Sequence, residues 1–106
     1  MAAAGADMPE RIRGLVAREI AGFATAERGA RMTLSDFRAA LVPPAEVEVQ
    51  FSGGVIGPGW TVTRPNGPYR VLFLPQAGVF SLCVEGPFGP LDIGVHGPAI
   101  DCFRSV

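Results

Sequence analysis

The chain has 106 residues, of which 48 % are apolar and 18 % charged, and its formal net charge is −1. This length suits one domain, and the composition excludes an intrinsically disordered chain. The slightly acidic balance, without a block of like charge, argues against nucleic-acid binding.

All nine basic residues are arginine, which indicates the codon usage of a GC-rich genome and predicts a bacterial or phage protein. The first residues lack the charged and apolar regions of a signal peptide. No apolar run approaches the roughly 20 residues of a membrane-spanning helix. We therefore expect a cytoplasmic protein without a membrane partner, in which Cys83 and Cys102 stay reduced.

Residues 1–6 are small and predict a disordered tail, followed by a single domain over residues 7–106. A first helix is expected to begin at Asp7 as N-cap, with Pro9 in its first turn and Gly29 at its end. Its apolar stripe comprises Ile12, Leu15, Val16, Ile20, Phe23 and Ala24.

A second, shorter helix is predicted after Thr33 or Ser35 as N-cap. Leu34, Phe37 and Leu41 share one of its faces. Residues 42–44, Val-Pro-Pro, end it, because a residue before proline avoids the helical region.

From Glu46 the apolar period changes to two, since Val47, Val49 and Phe51 alternate with polar residues. Further strands are expected at residues 60–64, 69–74, 79–85 and 91–96, while residues 99–106 fit either an edge strand or a helical turn. Five Gly-Pro pairs are assigned to the turns between strands. No crossover helix separates the strands. The sequence predicts an α+β fold with two N-terminal helices packed on a curved antiparallel meander of five or six strands.

The segment of residues 70–74 is apolar on both faces, which predicts that Leu72 and Phe73 are buried on opposite sides of a central strand. The first helix covers one side. The other requires the short helix, curvature of the sheet or another molecule. Because an apolar face must pack against something, a homodimer is the hypothesis we carry forward.

The glycine-rich stretch of residues 52–60 is not expected to bind phosphate. Pro58 removes a backbone N–H, a strand pattern follows, and the spacings of known phosphate-binding loops are absent. A hairpin connection is favoured.

His96 is the only histidine and shares a predicted strand face with Asp92, while Asp101 and Cys102 follow a turn and could fold back beside it. A Cys–His nucleophile site or a zinc site needs more than these isolated residues. We predict no catalytic residue, no metal ligand and no cofactor, and we expect His96, Cys83 and Cys102 to be dispensable for activity.

Phe88, Trp60 and His96 are the candidate binding residues. Phe88 lies in a short Gly-Pro-Phe-Gly-Pro turn, and we favour a side chain folded back over the sheet end above one displayed to a partner. These features favour a small non-enzymatic interaction protein that acts on a protein partner or on itself, as an adaptor, inhibitor or assembly subunit. The alternative is a small-molecule pocket between helix and sheet, with weak chemistry at His96.

Overall fold

The structure is a computed structural model that describes the backbone of residues 4–106 and the side chains from Asp7 onward. The predicted tail lies outside the described residues at positions 1–3, and residues 4–6 form the start of the first helix. The elements in chain order are α1 (Ala4–Gly22), α2 (Arg28–Ala40), β1 (Glu46–Gln50), a 3-10 turn (Ser52–Gly54), β2 (Ile56–Thr61), β3 (Tyr69–Leu74), β4 (Val79–Gly86), β5 (Gly89–Gly97) and α3 (Ala99–Phe103). The α+β class, with two helices ahead of five strands, is confirmed.

The five strands pair consecutively and antiparallel, as the predicted meander requires. The sheet is not open, however, because β1 and β5 meet in parallel at Gln50 and Leu91. This contact closes the sheet into a barrel in the order β1-β2-β3-β4-β5. One bridge joins the two terminal strands, so β1 and β5 form the least extensively paired seam of the barrel.

Two apolar clusters stabilise the fold, one on each side of the sheet. The outer cluster lies between the helices and the strands and includes Ile12, Val16, Phe37, Val71, Phe73, Leu82 and Ile100. The inner cluster fills the barrel with Val49, Leu72, Leu74 and Cys83. Leu72 and Phe73 are both fully buried and belong to different clusters, as predicted.

The inner sheet face is covered by closure of the barrel rather than by the short helix or a second molecule. α2 contributes Phe37 to the same outer cluster that α1 packs against, so both helices lie on one side of the sheet. The sequence analysis offered three ways to cover this face: the short helix, curvature of the sheet or another molecule. The structure shows curvature of the sheet. The inner face therefore gives no argument for a dimer.

The C-terminal segment, which the sequence left undecided, forms helix α3. The carboxylate of Glu19 on α1 accepts hydrogen bonds from the backbone N–H groups of Ala99 at 2.8 Å and of Ile100 at 3.1 Å. A carboxylate at a helix start satisfies donors that have no partner within the helix. Glu19 thus joins α1 to a segment eighty residues away.

The helix boundaries differ from those predicted. α1 begins before Asp7, which lies in its first turn rather than at its N-cap, and it ends at Gly22. Gly29 lies inside α2, which begins at Arg28 with Glu27 as N-cap rather than at Thr33 or Ser35. In the connection between α1 and α2, the guanidinium of Arg31 donates to the carbonyls of Thr25 and Ala26, each at 3.0 Å.

Two Gly-Pro pairs lie inside strands, contrary to the prediction that all lie between them. β2 contains Gly57-Pro58 and β5 contains Gly89-Pro90. Pro58 is paired with Glu48 of β1, while β3 pairs with β2 only at Trp60 and Thr61. Since one side of β2 is unpaired at Pro58, the missing N–H removes no ladder bond there.

The glycine-rich connection is a hairpin, as predicted. Gly53 and Gly54 take positive φ values of 79° and 78° in the 3-10 turn between β1 and β2. Only glycine adopts this backbone at low cost. Within residues 4–106, no helix combines the length and apolar character needed to cross a bilayer.

Candidate functional site

The strand β5 departs from regular pairing at one point. Cys83 pairs with Asp92 and the preceding residue, Leu82, pairs with Val95, so Ile93 and Gly94 have no residue opposite them on β4. Gly94 adopts a φ of 81°, which side-chain-bearing residues rarely take. This bulge bends β5 and redirects the side chains on either side of it.

The bulge brings three polar side chains together. The hydroxyl of Ser81 donates to Asp92 Oδ1 at 2.5 Å, and His96 Nε2 lies 3.0 Å from both oxygens of the same carboxylate. The backbone N–H of Gly94 also donates to Asp92, at 3.2 Å. Asp92 and His96, which the sequence placed on one face, are therefore in contact through the bulge.

The carboxylate of Asp92 is held in its charged form. Burial alone would raise its pKa, but the hydrogen bonds from Ser81, His96 and the Gly94 N–H together outweigh burial and lower the pKa below the ordinary value of 3.8. Asp92 is therefore charged at neutral pH, and its hydrogen bonds with Ser81, His96 and Gly94 stabilise the bulge.

The order of these groups does not suit nucleophilic catalysis. In a serine nucleophile site the histidine contacts the hydroxyl and the carboxylate orients the histidine. Here Asp92 lies between Ser81 and His96, and Ser81 is fully buried. The arrangement supports a structural role for the cluster.

The two cysteines lie on opposite sides of the sheet. Cys83 belongs to the inner cluster, while Cys102 belongs to the outer one, with its Sγ 3.5 Å from the carbonyl of Val95. Burial raises the pKa of Cys83 to about 12 and that of Cys102 to about 11, which leaves both as neutral thiols at pH 7. Asp101 does not join His96, because it pairs with Arg104 at 2.9 Å. Among the side chains described here, no three residues of metal-binding type converge.

The three candidate binding residues have different surroundings. Phe88 is 81 % exposed at the β4–β5 turn, so the favoured prediction of a folded-back side chain is wrong. Trp60 is buried in the outer cluster and presents no surface to a partner. The His96 side chain is 43 % exposed at the bulge. Phe88 and His96 alone are accessible.

Most of the exposed large apolar side chains of the described residues lie on β5, on the turn before it or at the start of β2. Of eight such residues among the described side chains, six fall on residues 55–56 and 88–95. We call these six the β5 patch: Val55, Ile56, Phe88, Leu91, Ile93 and Val95. The other two, Met32 and Val106, lie on α2 and at the C-terminal end.

The strand register places members of the β5 patch side by side. Gln50 of β1 is paired with Ile56 on one side and with Leu91 on the other, so the three residues form a row across three strands. The Gln50 side chain donates to the Phe88 carbonyl at 2.8 Å, which ties the exposed turn to this row. Ile56 and Leu91 thus flank the polar side chain of Gln50.

The charge near the β5 patch is acidic. Glu46 and Glu48 are exposed on β1, and Glu48 lies two residues before Gln50 on the same strand face, about 7 Å away. From Leu41 to Thr63 and from Gly86 to Phe103 the chain contains no arginine, whereas six of the nine arginines lie in α1 and α2. Taken together, the strands β1, β2 and β5 therefore contain acidic residues but no arginine.

Sequence reasoning found Phe88 but missed the rest of the β5 patch. The alternation in residues 91–96 shows that β5 has an apolar side, but not whether a helix covers it. Comparison with protein-family models, with curated proteins and with solved structures found no match.

Proposed function

We propose that this protein is a small interaction module that binds a protein partner through the β5 patch, as an adaptor, inhibitor or assembly subunit. One observation carries the proposal: of the eight exposed large apolar side chains among the described residues, six lie on β5, on the turn before it and at the start of β2. Monomeric proteins rarely expose large contiguous apolar patches, and an apolar patch with a polar rim is typical of an interaction site.

Phe88 is the expected anchor. It is the most exposed apolar side chain of the patch, and the backbone beside it is fixed by Pro87, Pro90 and the hydrogen bond from Gln50. An aromatic side chain on a rigid turn loses little conformational freedom when a partner's pocket encloses it.

The charged residues beside the β5 patch indicate which charge the partner surface carries. The exposed Glu48 lies two residues before Gln50, which pairs with both Ile56 and Leu91, and no arginine lies in β1, β2 or β5. We therefore propose a partner surface with an apolar centre and basic residues around it. Opposite charges at a rim chiefly accelerate association, so the rate should fall with added salt.

The test compares three forms of the protein as bait in extracts of the native host. The wild type, the double variant Phe88→Ser with Leu91→Ser, and the control Met32→Ser are immobilised, and captured proteins are quantified by mass spectrometry. Met32 is a matched control because it is 56 % exposed but lies on α2, away from the patch.

A partner that binds the β5 patch is captured by the wild type and by Met32→Ser, and is reduced at least tenfold with the double variant. Circular dichroism checks that all three forms are folded. If the same proteins are captured equally by all three forms, the β5 patch is not the binding surface and the proposal fails.

A further inference from the structure

A second apolar surface lies on the helical side of the molecule, away from the β5 patch. It is a groove of about 380 Å³, open to solvent, between α1 and the segment that follows α2. Residues 41–44 form one wall and Val62 lies at its base. The α1 wall repeats at helical spacing and consists of Ile12, Arg13, Val16, Ala17 and Ile20. A volume of this size is in the range of small-molecule sites.

The wall opposite α1 has no free backbone donor. The N–H of Leu41 donates to the Arg38 carbonyl at 3.4 Å, and that of Val42 donates to the Val62 carbonyl at 3.0 Å. Pro43 and Pro44 have no N–H. A ligand that needs donors along its length would lose hydrogen bonds with water here, so the groove favours an apolar body.

Among the described residues that line the groove, Arg13 alone is charged. No acidic residue lines the groove, and within residues 7–106 the Arg13 guanidinium makes neither an ion pair nor a side-chain hydrogen bond. An arginine fork matches a carboxylate in shape and charge. The groove therefore combines an apolar channel with one site for a monovalent anionic head group.

The length of the groove sets the size of the apolar body. Ile12 and Ile20 are eight residues apart on α1, which corresponds to about 12 Å along the helix axis. Arg13 lies at the Ile12 end of this stripe. A chain bound with its head at Arg13 would extend along α1 toward Ile20.

We infer that this α1 groove binds a single-chain amphiphilic carboxylate of medium length, with its head group at Arg13 and its alkyl chain between α1 and residues 41–44. The inference is independent of the proposed interaction at the β5 patch. The occupant is the free monomeric carboxylate, because one arginine matches one charge.

The experiment titrates the full protein with sodium decanoate below its micelle concentration. Binding is followed by calorimetry and by the fluorescence of Trp60, which shares the outer cluster with Ile12, Val16 and Val62. Arg13→Gln is compared with Arg18→Gln, an exposed arginine on the same helix that does not line the groove. The neutral analogue 1-decanol is titrated into the same proteins.

We expect saturable binding of one decanoate per chain, at least tenfold weaker with Arg13→Gln and unchanged with Arg18→Gln. The affinity for 1-decanol should be the same for the wild type and Arg13→Gln, because the alcohol carries no charge. A second variant, Ala17→Phe, narrows the groove from an exposed position and should weaken both probes.

Three results would overturn the inference. The first is absence of saturable decanoate binding by the folded wild type. The second is a decanoate affinity that changes equally in Arg13→Gln and Arg18→Gln. The third is an unchanged affinity of Ala17→Phe for both decanoate and 1-decanol. Circular dichroism of each variant separates loss of the site from loss of the fold.

Discussion

The strands β3 and β5 are both rich in apolar residues, yet one is enclosed and the other is largely exposed. The last four residues of β3, from Val71 to Leu74, are buried on both faces. In β5 only Pro90 is buried among nine residues, and Leu91, Ile93 and Val95 are each about two-fifths exposed. Two strands of one barrel thus have opposite surroundings.

The difference arises from what lies outside the barrel. The inner side of both strands faces other strands, but the outer side of β3 packs against helical residues such as Ile12 and Phe37 in the outer cluster. Leu91, Ile93 and Val95 do not belong to that cluster. β3 therefore contributes to stability through burial on both faces, while apolar side chains on the outer side of β5 stay accessible to solvent.

The largest expected effect is on β3. Leu72→Ala and Phe73→Ala should each lower the free energy of unfolding by about 2–5 kcal/mol, because each truncation leaves a cavity in a fully buried cluster. Denaturant titration measures the loss. The two substitutions report on different sides of the sheet, since Leu72 faces the barrel and Phe73 faces the helices.

A loss below about 0.5 kcal/mol for either variant is typical of a surface site. Such a result for Leu72→Ala would mean that the barrel is not closed in solution. The same result for Phe73→Ala would mean that the helices do not cover β3.

The sequence predicted β3 better than β5 for a physical reason. Val71, Leu72, Phe73 and Leu74 are apolar on both faces, and such a run is stable only when both faces are covered. In β5 the alternation is interrupted by Gly94, and the two-residue bulge depends on pairing with β4 rather than on local residues. Closure of the barrel could not be predicted from the sequence either, because it depends on a single residue pairing, Gln50 with Leu91, between strands distant in the chain.

A smaller effect is expected at the bulge, where Asp92→Asn removes a partly buried charge that accepts three hydrogen bonds. The pKa of Asp92 is lower in the folded than in the unfolded chain, so its stabilising contribution is complete above pH 3.8 and is lost as the pH falls through the folded value. We expect Asp92→Asn to lose about 1–2 kcal/mol at pH 7. The difference from the wild type should shrink below pH 3.8.

Asp36→Asn, which removes an exposed carboxylate on α2, is the control and should show a small difference at every pH. Stability curves at several pH values between 2 and 7 measure both variants. A constant difference for Asp92→Asn across this range would contradict the role assigned to its charge.

The smallest effects are expected on the β5 patch itself. Phe88→Ser and Ile93→Thr should change the free energy of unfolding by no more than about 0.5 kcal/mol, because both side chains are exposed and the threonine keeps the branched shape suited to a strand. The wild-type Tm should also stay constant over a tenfold range of protein concentration.

If instead Ile93→Thr lowers stability by several kcal/mol and the wild-type Tm rises with concentration, a second copy covers the patch, because self-association stabilises the folded state by mass action. The open side of β5 would then be an interface of the protein with itself, and the separate partner proposed above would have to compete with it.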